Sequence, residues 1–244
     1  VSVPVFLADR AEFGKSEILL GGPEGRHAAT VRRLRAGERV DLTDGAGAVA
    51  ECVVAEERKD SLLLDVLKTY DTPPPGPRLV VVQGLPKGDR GELAVEMMTE
   101  VGVDVIVPWA AARSITQWKG ERAAKALGKW RATAREAGKQ ARRFHLPEVT
   151  EQASTVQVVQ LLRKAALAVV LHEEADMRLA SVELPAEGDI VLVVGPEGGV
   201  AGEELAAFTG QAGAVPALLG TTVLRTSTAG VAAASVLLAR TGRW

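Results

Sequence analysis

Two stretches of this sequence leave little freedom in how the chain can fold. Leu79-Val80-Val81-Val82-Gln83 and Ile190-Val191-Leu192-Val193-Val194 are apolar at consecutive positions, or nearly so, instead of at alternate ones. A strand with one wetted face alternates apolar and polar residues, so an unbroken apolar run marks a strand covered on both faces. Further strands are expected at 104–109, 167–172 and 215–218. Stretches of helical character fall between and after them, at 89–101, 120–143, 154–164, 203–211 and 227–240. Strand and helix in alternation predict an α/β domain whose parallel sheet lies between helical layers.

Ahead of the first run stands Thr72-Pro73-Pro74-Pro75-Gly76-Pro77, four prolines in six residues. Proline donates no backbone hydrogen bond, and such a stretch favours an extended spacer. The chain therefore divides into a first domain at 1–71, a linker at 72–77 and a second domain at 78–244. The first domain has short apolar runs at 3–7, 17–20, 39–42, 48–55 and 61–67, a hairpin signal at Asp44-Gly45-Ala46-Gly47 and one helical stretch at 24–35. Those features predict a small β-barrel with a helical insert.

Composition removes several classes of function. The 244 residues carry a formal charge of -2, which argues against a chain that binds nucleic acid by bulk charge. The single cysteine, Cys52, excludes an intramolecular disulfide and a multi-cysteine zinc site; a small buried apolar role in a reducing cytosol is expected. Three histidines without clustered acids give no basis for a metal centre. No run nears the ~20 apolar residues of a membrane span, and no secretory leader is recognisable, so a cytoplasmic protein with no membrane partner is expected.

The charge that is present is unevenly spread. Along 120–143, Ala123, Leu127, Trp130, Ala134, Ala137 and Ala141 share one helical face, while Arg122, Lys125, Lys129, Arg131, Arg135, Lys139, Arg142 and Arg143 take the rest. From Arg113 to His145 there are ten Lys and Arg against Glu121 and Glu136, a local charge of +8. Acidic partners are nearly absent, which favours phosphate contact over an ordinary solvated face.

Two segments carry the signal for a ligand. Gly195-Pro196-Glu197-Gly198-Gly199 follows a strand and precedes a helix, where a glycine-rich loop lets backbone approach a ligand or simply makes a tight turn. It is neither a P-loop nor a dinucleotide fingerprint. The segment from Leu218 through Leu219, Gly220, Leu224, Arg225 and Thr226 to Gly230 sets an arginine just before a helix rich in Ala and Gly. Arg225 could cap structure, or present its fork of donors to a carboxylate, phosphate or base. The small residues of the helix suit a packed core or a subunit interface.

His27, Val31, Arg33, Gly37 and the Asp44 turn recur in order with Lys87-Gly88-Asp89-Arg90, Glu100-Val101-Gly102-Val103, Glu136, Gln140, Arg142-Arg143, Pro147 and the two ligand segments. With this ordered set the sequence resembles, over nearly its whole length, the ribosomal small subunit methyltransferase E family, uridine-N3 methyltransferases of 16S ribosomal RNA within the SPOUT superfamily. The resemblance implies an amino-terminal PUA-like β-barrel that binds RNA, and a carboxy-terminal SPOUT domain with a parallel sheet and a deep trefoil knot. It implies S-adenosylmethionine held by Leu171, His172, Gly195, Pro196, Glu197, Gly198, Gly199, Leu219, Gly220, Leu224 and Thr226. It further implies 16S rRNA in the small ribosomal subunit as substrate, near the decoding site, and a homodimer through the carboxy-terminal domain.

The RNA contacts expected on this basis are His27, Arg33, Lys87, Arg90, Arg135, Lys139, Arg142 and Arg143. Arg225 is the first catalytic candidate, because a cation beside uracil favours its deprotonated form. Glu136 is a candidate base or a partner for neighbouring cations. The sequence departs from the family at Ser227, where a glutamate is usual, and at Arg32, where an apolar residue is usual. Two other readings remain: methylation at another RNA position, and a non-catalytic RNA-binding or ribosome-assembly module. The intact ligand segments favour an enzyme.

Overall fold

The apolar runs of the first seventy residues become strands of a mixed sheet. In the computed structural model, which describes residues 3–244, these are β1 (Val5–Leu7), β2 (Glu17–Leu20), β3 (Arg39–Thr43), β4 (Ala48–Glu57) and β5 (Leu62–Asp71), with α1 (Gly22–Arg26) after β2. The order is β1-β3-β4-β5-β2; β1 runs parallel to β3 and the other neighbours are antiparallel. The Asp44 turn forms as the sequence predicts, its carboxylate accepting the N–H groups of Ala46 and Ala48 at 2.8 and 3.0 Å.

The helical stretch is shorter than the expected 24–35. After α1 the coil widens to a π-type turn over His27–Val31 and stops before Arg33, whose φ is 55°. That left-handed residue turns the chain and lets the following Leu34 enter the core with Phe6, Ile18, Val40, Leu42, Cys52 and Leu64.

This unit, which contains the residues up to Pro74, also includes Gly138–Leu146. The division therefore differs from a single cut at the proline linker. Lys139 Nζ meets Glu24 Oε1 at 2.9 Å, and both side chains are buried. The second oxygen of Glu24 accepts the N–H of Leu7 at 3.2 Å. Lys139, expected among the RNA contacts, is thus a correction: its charge is spent inside the unit, because the helix turns it inward beside Ala137 and Gly138.

The second unit comprises Pro75–Ala137 and Pro147–Trp244. Its strands are β6 (Arg78–Gly84), β7 (Val105–Trp109), β8 (Glu148–Val149), β9 (Leu167–Leu171), β10 (Asp189–Val194) and β11 (Val215–Ala217). They form one all-parallel sheet in the order β11-β9-β10-β6-β7-β8. Only β8, two residues long, has no counterpart in the sequence expectation. The helices are α2 (Arg90–Val101), α3 (Glu121–Gln140), α4 (Thr155–Lys164), α5 (Gly202–Ala206) and α6 (Thr226–Arg240). The end of α3 falls at Gln140, three residues before the expected end, and Arg142 beyond it is left-handed with φ 56°. None of these helices is long and apolar enough to cross a membrane.

The unbroken apolar runs are explained by two cores, one on each face of the sheet. Leu79, Val81, Ile106, Ile190 and Leu192 pack with residues of α2, α3 and α6. Their neighbours Val80, Val82, Val107, Val191 and Val193 pack with α4 and Phe208 on the opposite face. Each such side chain contributes ~1.5–3 kcal/mol by leaving water. Gly230 of α6 lies against α2, where an added Cβ would come within 2.9 Å of Met98 Sδ. Of the two uses foreseen for the small residues of α6, core packing is the one seen here, with Gly230, Ala233 and Ala234 buried.

Two outcomes follow. Burial pushes the Cys52 thiol up to about 12, so it should not react with an aromatic disulfide reagent at pH 8 in the folded protein and should react once in denaturant. Lys139→Ala removes the ammonium from the buried Glu24 carboxylate and should cost about 3–5 kcal/mol in a urea unfolding series, against under ~0.5 kcal/mol for the exposed Arg135→Ala.

Candidate active site

In a parallel sheet every strand ends on the same edge, and loops leaving that edge can converge. Here the loops after β9, β10 and β11 do so around a cleft of about 490 Å³, joined by Arg90 at the start of α2 and Arg113 from the loop after β7. All the positions expected to hold a cofactor line it: Leu171 and His172 from the end of β9, Gly195, Pro196, Glu197, Gly198 and Gly199 after β10, and Leu219, Gly220, Leu224 and Thr226 after β11. Arg225 lines it as well, exposed and without an ion pair among the described residues.

The loop after β10 owes its path to its glycines. Gly199 has φ +72°, a conformation few side chains tolerate. At Gly198 a Cβ would sit 2.9 Å from Arg113 Cβ and 3.1 Å from Arg113 O, and Arg113 Nη1 donates to the Gly198 carbonyl at 3.2 Å. Glu197 Oε1 accepts the N–H of Lys87 at 3.0 Å, which fastens this loop to the one after β6.

Beneath the cleft the loops are joined by a buried polar chain. The Thr226 hydroxyl donates to the Gly195 carbonyl at 2.6 Å, so its single proton is used there. It therefore accepts from Gln83 Nε2 at 3.0 Å, while the same amide donates to Gly84 O at 3.1 Å. Gln83 is fully buried at the end of β6.

The loop after β11 has the opposite character. From residue 219 to residue 225 no main-chain N–H donates within the protein among the described residues, and the side chains of 221–225 are exposed. This run of free donors opens onto the cleft. Leu218, by contrast, is held on both sides, its N–H on Met177 O and its carbonyl on the N–H of Leu179. His172 Nδ1 accepts the N–H of Glu174 at 3.3 Å, an arrangement that leaves the neutral ring its proton on Nε2.

Other expected site residues lie elsewhere. Glu136 is outside the cleft; it is exposed on α3 with Arg135 at 4.0 Å. Its helical phase puts it with the cations, so the geometry corrects its place as a candidate base. Arg90, expected among the RNA contacts, lines the cleft, as do Arg113 and Glu173, which sequence reasoning passed over. Lys87 is exposed on the loop after β6 and Arg135 is exposed on α3. In the first unit His27 is half-buried, edge-on to Phe6 at 5.7 Å, Arg33 and Arg142 are exposed, and Arg143 is partly buried.

Residues 73–238 match a family described as an RNA methyltransferase domain, and residues 20–67 match an RNA methyltransferase PUA domain. Fold and site thus define an RNA methyltransferase with a PUA-like amino-terminal domain. A protein of Mycobacterium tuberculosis named ribosomal RNA small subunit methyltransferase E is 46% identical over 93% of this chain and 87% of its own length. The Bacillus subtilis protein of that name is 30% identical over 88% and 87%. Among solved structures, a ribosomal RNA small subunit methyltransferase E from Neisseria gonorrhoeae bound to S-adenosyl methionine superposes with a TM-score of 0.84 at 26% identity, covering 98% of both chains. The chain belongs to the ribosomal RNA small subunit methyltransferase E family.

Removing the Thr226 hydroxyl should uncouple the two loops and leave the Gln83 amide short of a partner. Thr226→Val is expected to lower unfolding free energy by about 1–3 kcal/mol, with Thr226→Ser retaining most of it; paired denaturant titrations decide.

Proposed function

We propose that this protein transfers a methyl group from S-adenosylmethionine to N3 of a uridine in 16S rRNA, near the decoding site of the small ribosomal subunit. The observation that carries the reading is the run of free main-chain donors at 219–225 facing a cleft whose other walls are the glycine loop and the end of β9. A cleft of about 490 Å³ is within the size that holds a cofactor. Its mixture of main-chain donors with Leu171, Leu219 and Leu224 fits a ligand with a polar heterocycle and an aliphatic arm.

When bound, S-adenosylmethionine supplies an electrophilic methyl on a sulfonium, already activated for transfer. The chain's task is to orient uracil N3 in line with it and to make loss of the N3 proton favourable. Arg225, exposed in the cleft wall, is the cation assigned in this reading to the uracil carbonyl oxygens, onto which the negative charge spreads as N3 is deprotonated. The proton passes to water at the open mouth of the cleft. The exposed cations of the chain, Arg33, Lys87, Arg135 and Arg142, contribute phosphate contacts that position the RNA without reading its sequence.

The same reading includes the deep trefoil knot of the family, with the segment from Leu218 to Thr226 as part of the threaded chain, and a homodimer through the carboxy-terminal unit. In support of the dimer, Val223 is 78% exposed and Leu224 39% exposed beside α6, apolar surface that a second copy would cover. A cytoplasmic setting follows from the substrate.

Arg225→Ala should lower the single-turnover methylation rate of unmethylated small subunits by at least about tenfold, equal to ~1.4 kcal/mol of transition-state stabilisation. Cofactor affinity by calorimetry and the melting temperature should stay near those of the parent protein. A rate loss matched by lost cofactor binding would make Arg225 a prop for its loop, and mass mapping that finds the methyl on another atom would overturn the uridine-N3 assignment.

A further inference from the structure

A second cavity, of about 290 Å³, lies in the same unit between the loop after β6 and the first half of α3. Its floor is Leu85, Pro86 and two indoles, Trp118 and Trp130, packed edge to face with centroids 5.0 Å apart. Trp130 is 3% exposed, and its Nε1 edge lies against Gly91, where a Cβ would come within 2.7 Å of it. The indole N–H has no acceptor among the described residues, although the side chain lines the cavity. Arg122, Lys125 and Lys129 stand around it, all exposed. Lys129 shares Glu92 at 3.8 Å, whereas Arg122 and Lys125 have no ion-pair partner among the described residues.

We propose that this cavity is a nucleotide subsite that takes one unpaired nucleotide of the RNA substrate, its base against Trp118 and its phosphate on Arg122 and Lys125. The proposal rests on the reading of the protein as an RNA methyltransferase and adds a second contact point beside the reacting one. Aromatic surface next to free cations is the chemistry of a stacked base and its phosphate, and stacking tolerates any base because each has a π face. The free Trp130 N–H supplies a donor, and the Glu92 carboxylate an acceptor that suits a base with an amino or imino hydrogen.

The position is as informative as the chemistry. The loop and first turn at 85–92 line both cavities: Arg90 faces the cofactor cleft, while Gly88, Gly91 and Glu92 face this one. The loop is held from both directions, by Lys87 N–H on Glu197 and by the Thr116 hydroxyl on Pro86 O at 2.8 Å. A nucleotide seated here would therefore lie beside the cofactor cleft, across the segment 85–92.

The test uses the full chain saturated with S-adenosylmethionine, so that mononucleotides cannot enter the cofactor cleft. Indole N–H resonances are followed while guanosine, cytidine, uridine and adenosine 5′-monophosphates are added, with signals assigned through Trp118→Phe. The signals of Trp118 and Trp130 should move while those of Trp109 and Trp244 stay, and the movement should vanish in Arg122→Glu/Lys125→Glu. On small subunits the same double variant should raise KM at least about tenfold, with kcat and cofactor affinity within about twofold. Unmoved indoles, or an equal response in the charge-reversed protein, would overturn the subsite. So would an unchanged KM, or a response only to added ribosomal protein.

Parent protein that methylates normally while the double variant matches it sinks the subsite alone. A parent that transfers no methyl sinks the functional reading, and the resonance arm, which needs no turnover, then decides the subsite separately.

Discussion

The Thr226 hydroxyl has one proton, and the arrangement of the cleft depends on where it goes. Given to the Gly195 carbonyl at 2.6 Å, it fixes the start of the glycine loop against the first turn of α6. The oxygen can then only accept, which orients the Gln83 amide with its nitrogen toward Thr226 and Gly84. Three chain segments from the carboxyl edge of the sheet are thereby locked by one buried network. Its cost is visible: Gln83 Oε1 is buried without a partner among the described residues. Gly230 leaves room beside that oxygen, since a Cβ there would approach it to 3.3 Å. A network of this kind fixes one geometry when fully formed and is costly when cut.

Above this fixed base the loop at 219–225 spends none of its main-chain donors on other described residues. Regular structure consumes such groups, so a cleft wall that keeps them is one made to satisfy a ligand or water. Rigid underneath and unsatisfied above is the division of labour that binding sites require.

The charges of α3 are sorted by contacts from other elements. Lys139 is buried on Glu24, Arg131 reaches Glu151 at 2.9 Å and the Val149 carbonyl at 3.0 Å, and Lys129 lies 3.8 Å from Glu92. The helix is therefore less available to phosphate than its sequence count suggests. In its first half Arg122 and Lys125 stay exposed, next to the two indoles of the smaller cavity.

Apart from the two-residue β8 and the exact helix ends, the strands and helices of the second unit are legible along the chain, because they depend on short-range periodicity and on burial of both faces of an apolar strand. Gly195 to Gly199 and Arg225 are legible too, since a glycine loop directly after a strand and a cation directly before a helix can be read along the chain. Which charges are spent depends on contacts between segments far apart in the chain. Glu24 and Lys139 are 115 residues apart, and no local pattern pairs them; Glu136 is excluded from the cleft by the phase of its helix against the sheet. Arg90 and Arg113 join the site, and Trp118 meets Trp130, through the crossing of separate segments. Such meetings depend on the relative placement of packed elements in three dimensions, which neither local propensity nor residue spacing encodes.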